Sequence, residues 1–140
     1  MALLDHRFKF FVTALAACFW LTLPAFAQEK PIDELYQELF EADETEHARI
    51  ADQIAARWQK SGSPAMDLLL RRGEEALEEG DAQAAVEHFT ALIDHAPDFA
   101  EGYHGRASAY FQLDLVGPAL DDLGRTLALN PRHFNAMFGL

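Results

Sequence analysis

Apolar residues in the second half of the chain recur at the three-to-four spacing of an α-helix, and turn residues cut the pattern into short lengths. Ala85, Phe89, Leu92 and Ile93 share one helical face, and their segment stops before Pro97 because a residue preceding proline is driven out of the α region. The segment before it opens at Ser63-Pro64, a capping residue followed by a proline whose φ is preset for the first helical position, and ends near Gly80; Asp81 caps the next. The plan then repeats. Tyr103, Ala107, Tyr110 and Phe111 mark one helix, Pro118 starts another carrying Ala119, Leu123 and Leu127, and Asn130-Pro131 closes it. Upstream, amphipathic patterns over 32–42 and 46–58 predict two more helices, separated from the rest by Ser61-Gly62-Ser63-Pro64. Downstream, Arg132-His133-Phe134 opens a further helix that leaves Met137 and Leu140 uncovered.

A shift of 34 residues superposes Pro97 on Pro131, Ala85 on Ala119, Phe89 on Leu123, Ile93 on Leu127, Leu69 on Tyr103 and Gly73 on Ala107. A unit of this length, with a small residue early, an alanine in the middle, large apolar residues four and eight later and a closing proline, resembles the tetratricopeptide repeat. The resemblance implies an all-α fold, in which antiparallel helix-turn-helix repeats stack as a short right-handed solenoid. Two clear units cover 66–133 (66–99 and 100–133), 28–65 is a degenerate N-terminal helical repeat, and 134–140 begins a further repeat helix. The mature length resembles bacterial periplasmic members of the family.

The N-terminus reads as a signal peptide over 1–27. Arg7 and Lys9 precede an apolar run over 10–26, and Ala25-Phe26-Ala27 places small residues where a peptidase reads, so the mature chain is expected to begin at Gln28, in the periplasm or secreted. Two other readings stay open: an uncleaved anchor, opposed by Pro24, and lipidation at Cys18 within Leu15-Ala16-Ala17-Cys18. No stable membrane span is expected after cleavage.

Charge narrows the partners. The formal charge is −12, and loss of Asp5, Arg7 and Lys9 with the leader leaves 22 acidic against 9 basic residues, or −13. Such a chain lacks the basic stripe that displaces counterions from phosphates, so no nucleic acid partner is expected. Cys18 is the only cysteine, and no disulfide is available.

Chemistry is sparse. The six histidines form no pair at metal-ligand spacing on one helix, Ser61, Ser63 and Ser108 lack the setting of an activated nucleophile, and no glycine-rich phosphate loop occurs. Gly62, Gly80 and Gly117 read as helix stops and turn residues. Adjacent acids such as Glu74-Glu75, Glu78-Glu79 and Asp121-Asp122 point about 100° apart on a helix and read as solvated faces. The expectation is a protein that is not an enzyme, with no catalytic residue, metal or cofactor.

The resemblance implies a partner-binding inner surface drawn from the first helix of each unit. Those positions hold Asp67, Leu70, Glu74, Leu77 and Glu78 in one unit and Glu101, His104, Ser108, Phe111 and Gln112 in the next, with Tyr36 and Phe40 among those of the degenerate unit. Relatives that grip a terminal carboxylate carry Lys and Asn where Leu70, Glu74, His104 and Ser108 stand, so a carboxylate clamp is not expected. The expected groove is acidic with apolar and aromatic patches, suited to a cationic protein or peptide segment with apolar anchors. A competing reading packs Leu70, Leu77 and Phe111 between helices and leaves the charges as solvated surface. Further alternatives are a regulatory or non-catalytic part of a cell-envelope enzyme, or a structural adaptor that self-associates through its C-terminal end.

Overall fold

The computed structural model describes residues 29–139, so the leader, Cys18, the proposed start at Gln28 and Leu140 lie outside the described residues. Glu29, Lys30 and Pro31 have no regular structure and belong to a unit that ends at Pro31; the helices belong to a second unit. Among the described residues the second unit is all helical: α1 (Ile32–Glu41), α2 (Glu44–Trp58), α3 (Pro64–Glu78), α4 (Ala82–His95), α5 (Ala100–Gln112), α6 (Val116–Leu129) and α7 (Phe134–Phe138). No helix among them is long and apolar enough to cross a membrane.

Helices α3 and α4 pair, α5 and α6 pair, and α4 packs on α5, which gives the stacked order of an all-α repeat solenoid. The ends are built locally. After α3, Gly80 takes a left-handed φ of 80°, and the N–H groups of Asp81 and Gly80 donate to the carbonyls of Ala76 and Leu77, satisfying two groups that the helix end leaves free. One period later Asp114 adopts the same conformation at φ 57°, and Leu115 and Asp114 donate to Tyr110 and Phe111. An aspartate tolerates this backbone because its short polar side chain crowds the left-handed region less than a bulky one does. Asp81 caps α4 by accepting from the Ala84 N–H.

Two local expectations change. Ser63 precedes α3 but makes no side-chain cap bond; Asp67 reaches back instead, accepting from the amide and hydroxyl of Ser61. Helix α6 begins at Val116, so Gly117 and Pro118 lie in its first turn and not in a stop before it. That turn has no intrahelical acceptor for its N–H groups, so a proline costs no bond there.

The core runs along the seam of the stack. Leu70, Ala76, Ala85, Phe89, Leu92 and Ala109 are buried together, and Ala107, Leu123 and Ala136 continue the seam toward α7. Ala85 and Ala119 are fully buried. Ala119→Leu is therefore expected to overpack the crossing and to lower stability by about 1–3 kcal/mol, measured by denaturant unfolding, with exposed Glu79→Leu as the control. An unchanged midpoint for Ala119→Leu would place the helix crossing elsewhere.

The α1–α2 hairpin has its own small core of Leu35, Ile50 and Ile54. Asp43 caps α2 by accepting from the N–H groups of Thr45 and Glu46. No extended seam forms between α2 and α3. The hairpin instead meets the turn into α7, where Phe134 packs against its core.

Candidate partner-binding face

Three first helices, α3, α5 and α7, carry the residues that matter here. Glu101 on α5 is buried, although a carboxylate is seldom left so without a partner. Its partner is His133, the residue before α7, whose Nε2 lies 2.8 Å from Glu101 Oε1 and whose ring is 0% exposed. His133 Nδ1 accepts from the Ala136 N–H at 3.2 Å and so caps α7. A ring nitrogen that accepts an N–H carries no proton, which assigns the proton to Nε2 and makes that atom the donor to Glu101. Both nitrogens are thus used, and the imidazole is held rigidly.

His104, one turn after Glu101, completes the group: its Nδ1 is 3.9 Å from Glu101 Oε2 and its ring centroid is 4.5 Å from that of His133. One donor atom from each of Glu101, His104 and His133 lies within 4.8 Å of the others, close enough to suggest a cation site. The hydrogen bonds argue for a structural network instead. A metal at Nε2 of His133 needs a proton on Nδ1, and that proton would face the N–H of Ala136. His104, which the repeat positions assign to the inner surface, is half-buried there. Burial first, then the neighbouring His133 imidazole, push its pKa below the ordinary histidine value, against an opposing pull from Glu101. A histidine whose folded pKa is depressed favours the neutral form in the native state. Its contribution is complete above the ordinary value of about 6.5 and is lost as pH falls from there toward the folded value. The fall in melting temperature between pH 7 and pH 5 should therefore be steeper in the parent than in His104→Gln, and equal slopes would remove His104 as the cause.

The remaining sequence-derived positions lie as follows. Leu70 is buried in the seam, and Leu77 is half-buried against it. Glu74 is half-buried and accepts from Gln59 Nε2 at 3.2 Å; burial first, then Glu101 and Glu78, push its carboxyl above the usual range. Glu78 and Phe111 are exposed. Asp67 is held by Ser61, whose hydrogen bonds lower its pKa. Tyr36 and Phe40 line a separate cleft of about 580 Å³ with Asp33 and Arg132; there Arg132 lies 3.9 Å over the Tyr36 ring and 2.7 Å from Asp33, and Phe40 is 92% exposed. The structure therefore groups Glu74, Glu101 and His104, and sets Tyr36 and Phe40 apart beside Arg132.

Sequence reasoning missed Trp58 and His133. Trp58, the last residue of α2, stacks on His133 with ring centroids 4.3 Å apart and planes at 20°, and Phe134 tilts against the same indole at 4.7 Å. A signal was present: the period sets His133 on Phe99, and each directly precedes its helix, so an imidazole stands where the preceding unit has a phenyl ring.

The chain is 32% identical over 110 residues to a TPR repeat-containing protein of Rhizobium etli, a match covering 78% of this chain and 54% of the relative. The chain belongs to the tetratricopeptide repeat family. It spans about half the length of that curated relative. No family model matches the chain, and no solved structure matches it. Tetratricopeptide repeats build protein-protein interaction modules and are generally non-catalytic, which suits a face whose titratable groups are tied to one another.

Proposed function

We propose that this tetratricopeptide repeat chain is an exported, non-enzymatic binding module of the cell envelope whose inner face takes a cationic protein segment with apolar anchors. The observation that carries the charge preference is the gathering of three acids on this face, half-buried Glu74, buried Glu101 and exposed Glu78. Negative charge gathered on a half-buried face is relieved by an incoming Lys or Arg, and the overall acidity of the chain steers such a segment toward it. Export rests on the leader pattern, with the mature chain starting at Gln28 and residing in the periplasm or outside the cell. Phe111, exposed at the end of α5, supplies an apolar anchor for the segment.

The test starts with capture of partners by the mature chain from envelope extract, followed by Glu74→Lys with Glu78→Lys. Reversal should slow association of the captured partner at low salt by about 10-fold or more, with much less effect at high salt. Equal association at all ionic strengths would remove the acidic face from the binding site. A second reading, self-association through the C-terminal end, is favoured by the exposure of Met137 and Phe138 at 50% and 90%. Light scattering across a concentration series distinguishes it, because a constant monomer mass rules it out.

A further inference from the structure

The face formed by α3, α5 and the start of α7 already carries an occupant. Gln59 bonds Glu74 on α3, while Trp58 lies flat on His133, which is itself bonded to Glu101 and in contact with His104 on α5. The end of α2 thus touches α3 and the start of α7 directly and reaches α5 only through His133, without packing along any of them. We propose that His133, with Glu101 and His104 behind it, is the floor of an aromatic-accepting pocket, that Trp58 fills it in cis, and that the module's partner enters with a large aromatic side chain that takes the place of Trp58. This deepens the binding reading above and rests on it.

Three observations support the assignment. The floor is preorganised: hydrogen bonds at both ring nitrogens fix the plane of His133, so a flat ring stacks on it without an ordering cost on the protein side. The occupant is separable: the Trp58 Nε1–H donates to the Tyr36 hydroxyl at 3.2 Å within its own hairpin, and withdrawal of the ring leaves that bond intact. The tether permits withdrawal: no extended seam joins α2 to α3, and Gly62 in the connecting turn holds a φ of 82° that favours glycine. The exposed Arg132–Asp33 pair adds little, so the contacts that withdrawal must break are Phe134 against the hairpin core and Arg132 over the Tyr36 ring. A helix ending in an aromatic residue followed by an amide side chain is what this face binds in cis, and it defines the partner's chemistry.

The experiment uses the full chain with Trp20→Phe, so that Trp58 is the single tryptophan, and a second form that also carries Trp58→Ala. N-acetyltryptophanamide and N-acetylleucinamide serve as probes, read by NMR at the ring protons of His133 and His104. In the Trp58→Ala form the tryptophan amide should shift both rings saturably and the leucine amide should not, while the parent, its pocket filled, responds to neither. An equal response in the parent, or none in a folded Trp58→Ala form, overturns the proposal. Native-state hydrogen exchange of the parent gives an answer that does not depend on the variant folding. The amides of α1 and α2 should open separately from those of α3–α6, and opening of both groups as one unit overturns the proposal. These outcomes do not depend on Glu74 or Glu78, so failure of the acidic-face reading and failure of the aromatic pocket are told apart.

Discussion

Phe89→Ala is expected to lower the unfolding free energy by about 3–5 kcal/mol, the largest loss of any single truncation in the chain. Phe89 on α4 is fully buried, and its ring passes between two helices at points where neither has a side chain. A Cβ placed on Gly73 of α3 would stand 2.5 Å from the ring, and one on Gly105 of α5 would stand 2.4 Å away. Those two glycines bring the backbones of α3 and α5 against the same three atoms, Cδ1, Cε1 and Cζ, of one phenyl group. Removing the ring leaves a cavity walled on two sides by the backbone at Gly73 and Gly105, which has no side chain there to move into the hole, so the cost belongs at the upper end for core truncations. Chemical denaturation followed by circular dichroism measures it, and a loss under about 1 kcal/mol would mean that the seam collapses onto the hole. Gly105→Ala in the parent should also destabilise, by about 1–3 kcal/mol, because the rigid ring cannot yield as the far end of a flexible chain would. Combining Gly105→Ala with Phe89→Leu should recover part of that loss, since the two changes compensate in volume.

The same seam shows what self-comparison of the chain reveals and what it cannot. Helix starts, the proline stops and the Phe89 face were legible because each depends on residues within one turn or on equivalent positions one period apart. Gly73 was legible for the same reason, standing where the next unit has Ala107. Gly105 was not, because it occupies a different position within its unit and meets Phe89 only across the stack. The buried network has the same character. Glu101 and His133 belong to non-equivalent positions of successive units, and Trp58 reaches them from a hairpin that periodicity simply lines up before α3. No spacing rule joins such residues. Burial of Glu101 needs a donor that only the folded chain supplies.

Asp122 was grouped by its sequence with Asp121 as solvated surface, yet it is buried, and its removal is expected to give the second large loss. Arg106 on α5 donates from Nε and Nη2 to the two Asp122 carboxylate oxygens at 2.8 and 2.9 Å, and from Nη1 to the Thr90 hydroxyl at 3.2 Å. The guanidinium therefore ties α4, α5 and α6 together, with Tyr103 and Tyr110 each 5.8 Å from it. Its bond to Asp122 raises the arginine pKa further, so the charge stays at any working pH. Asp122→Ala strands that charge where only 18% of its side chain reaches water, and the expected cost is about 3 kcal/mol. Most of this is the penalty of an unpaired cation and not the net worth of the pair. Arg106→Met combined with Asp122→Leu should thus regain most of the loss, with a coupling energy of about 1–3 kcal/mol in a double-mutant cycle. If Asp122→Ala unfolds at the parent midpoint, or if the double variant is no better than Asp122→Ala alone, the tie does not hold the second repeat to the first. The order of the stack would then rest on the Phe89 seam alone.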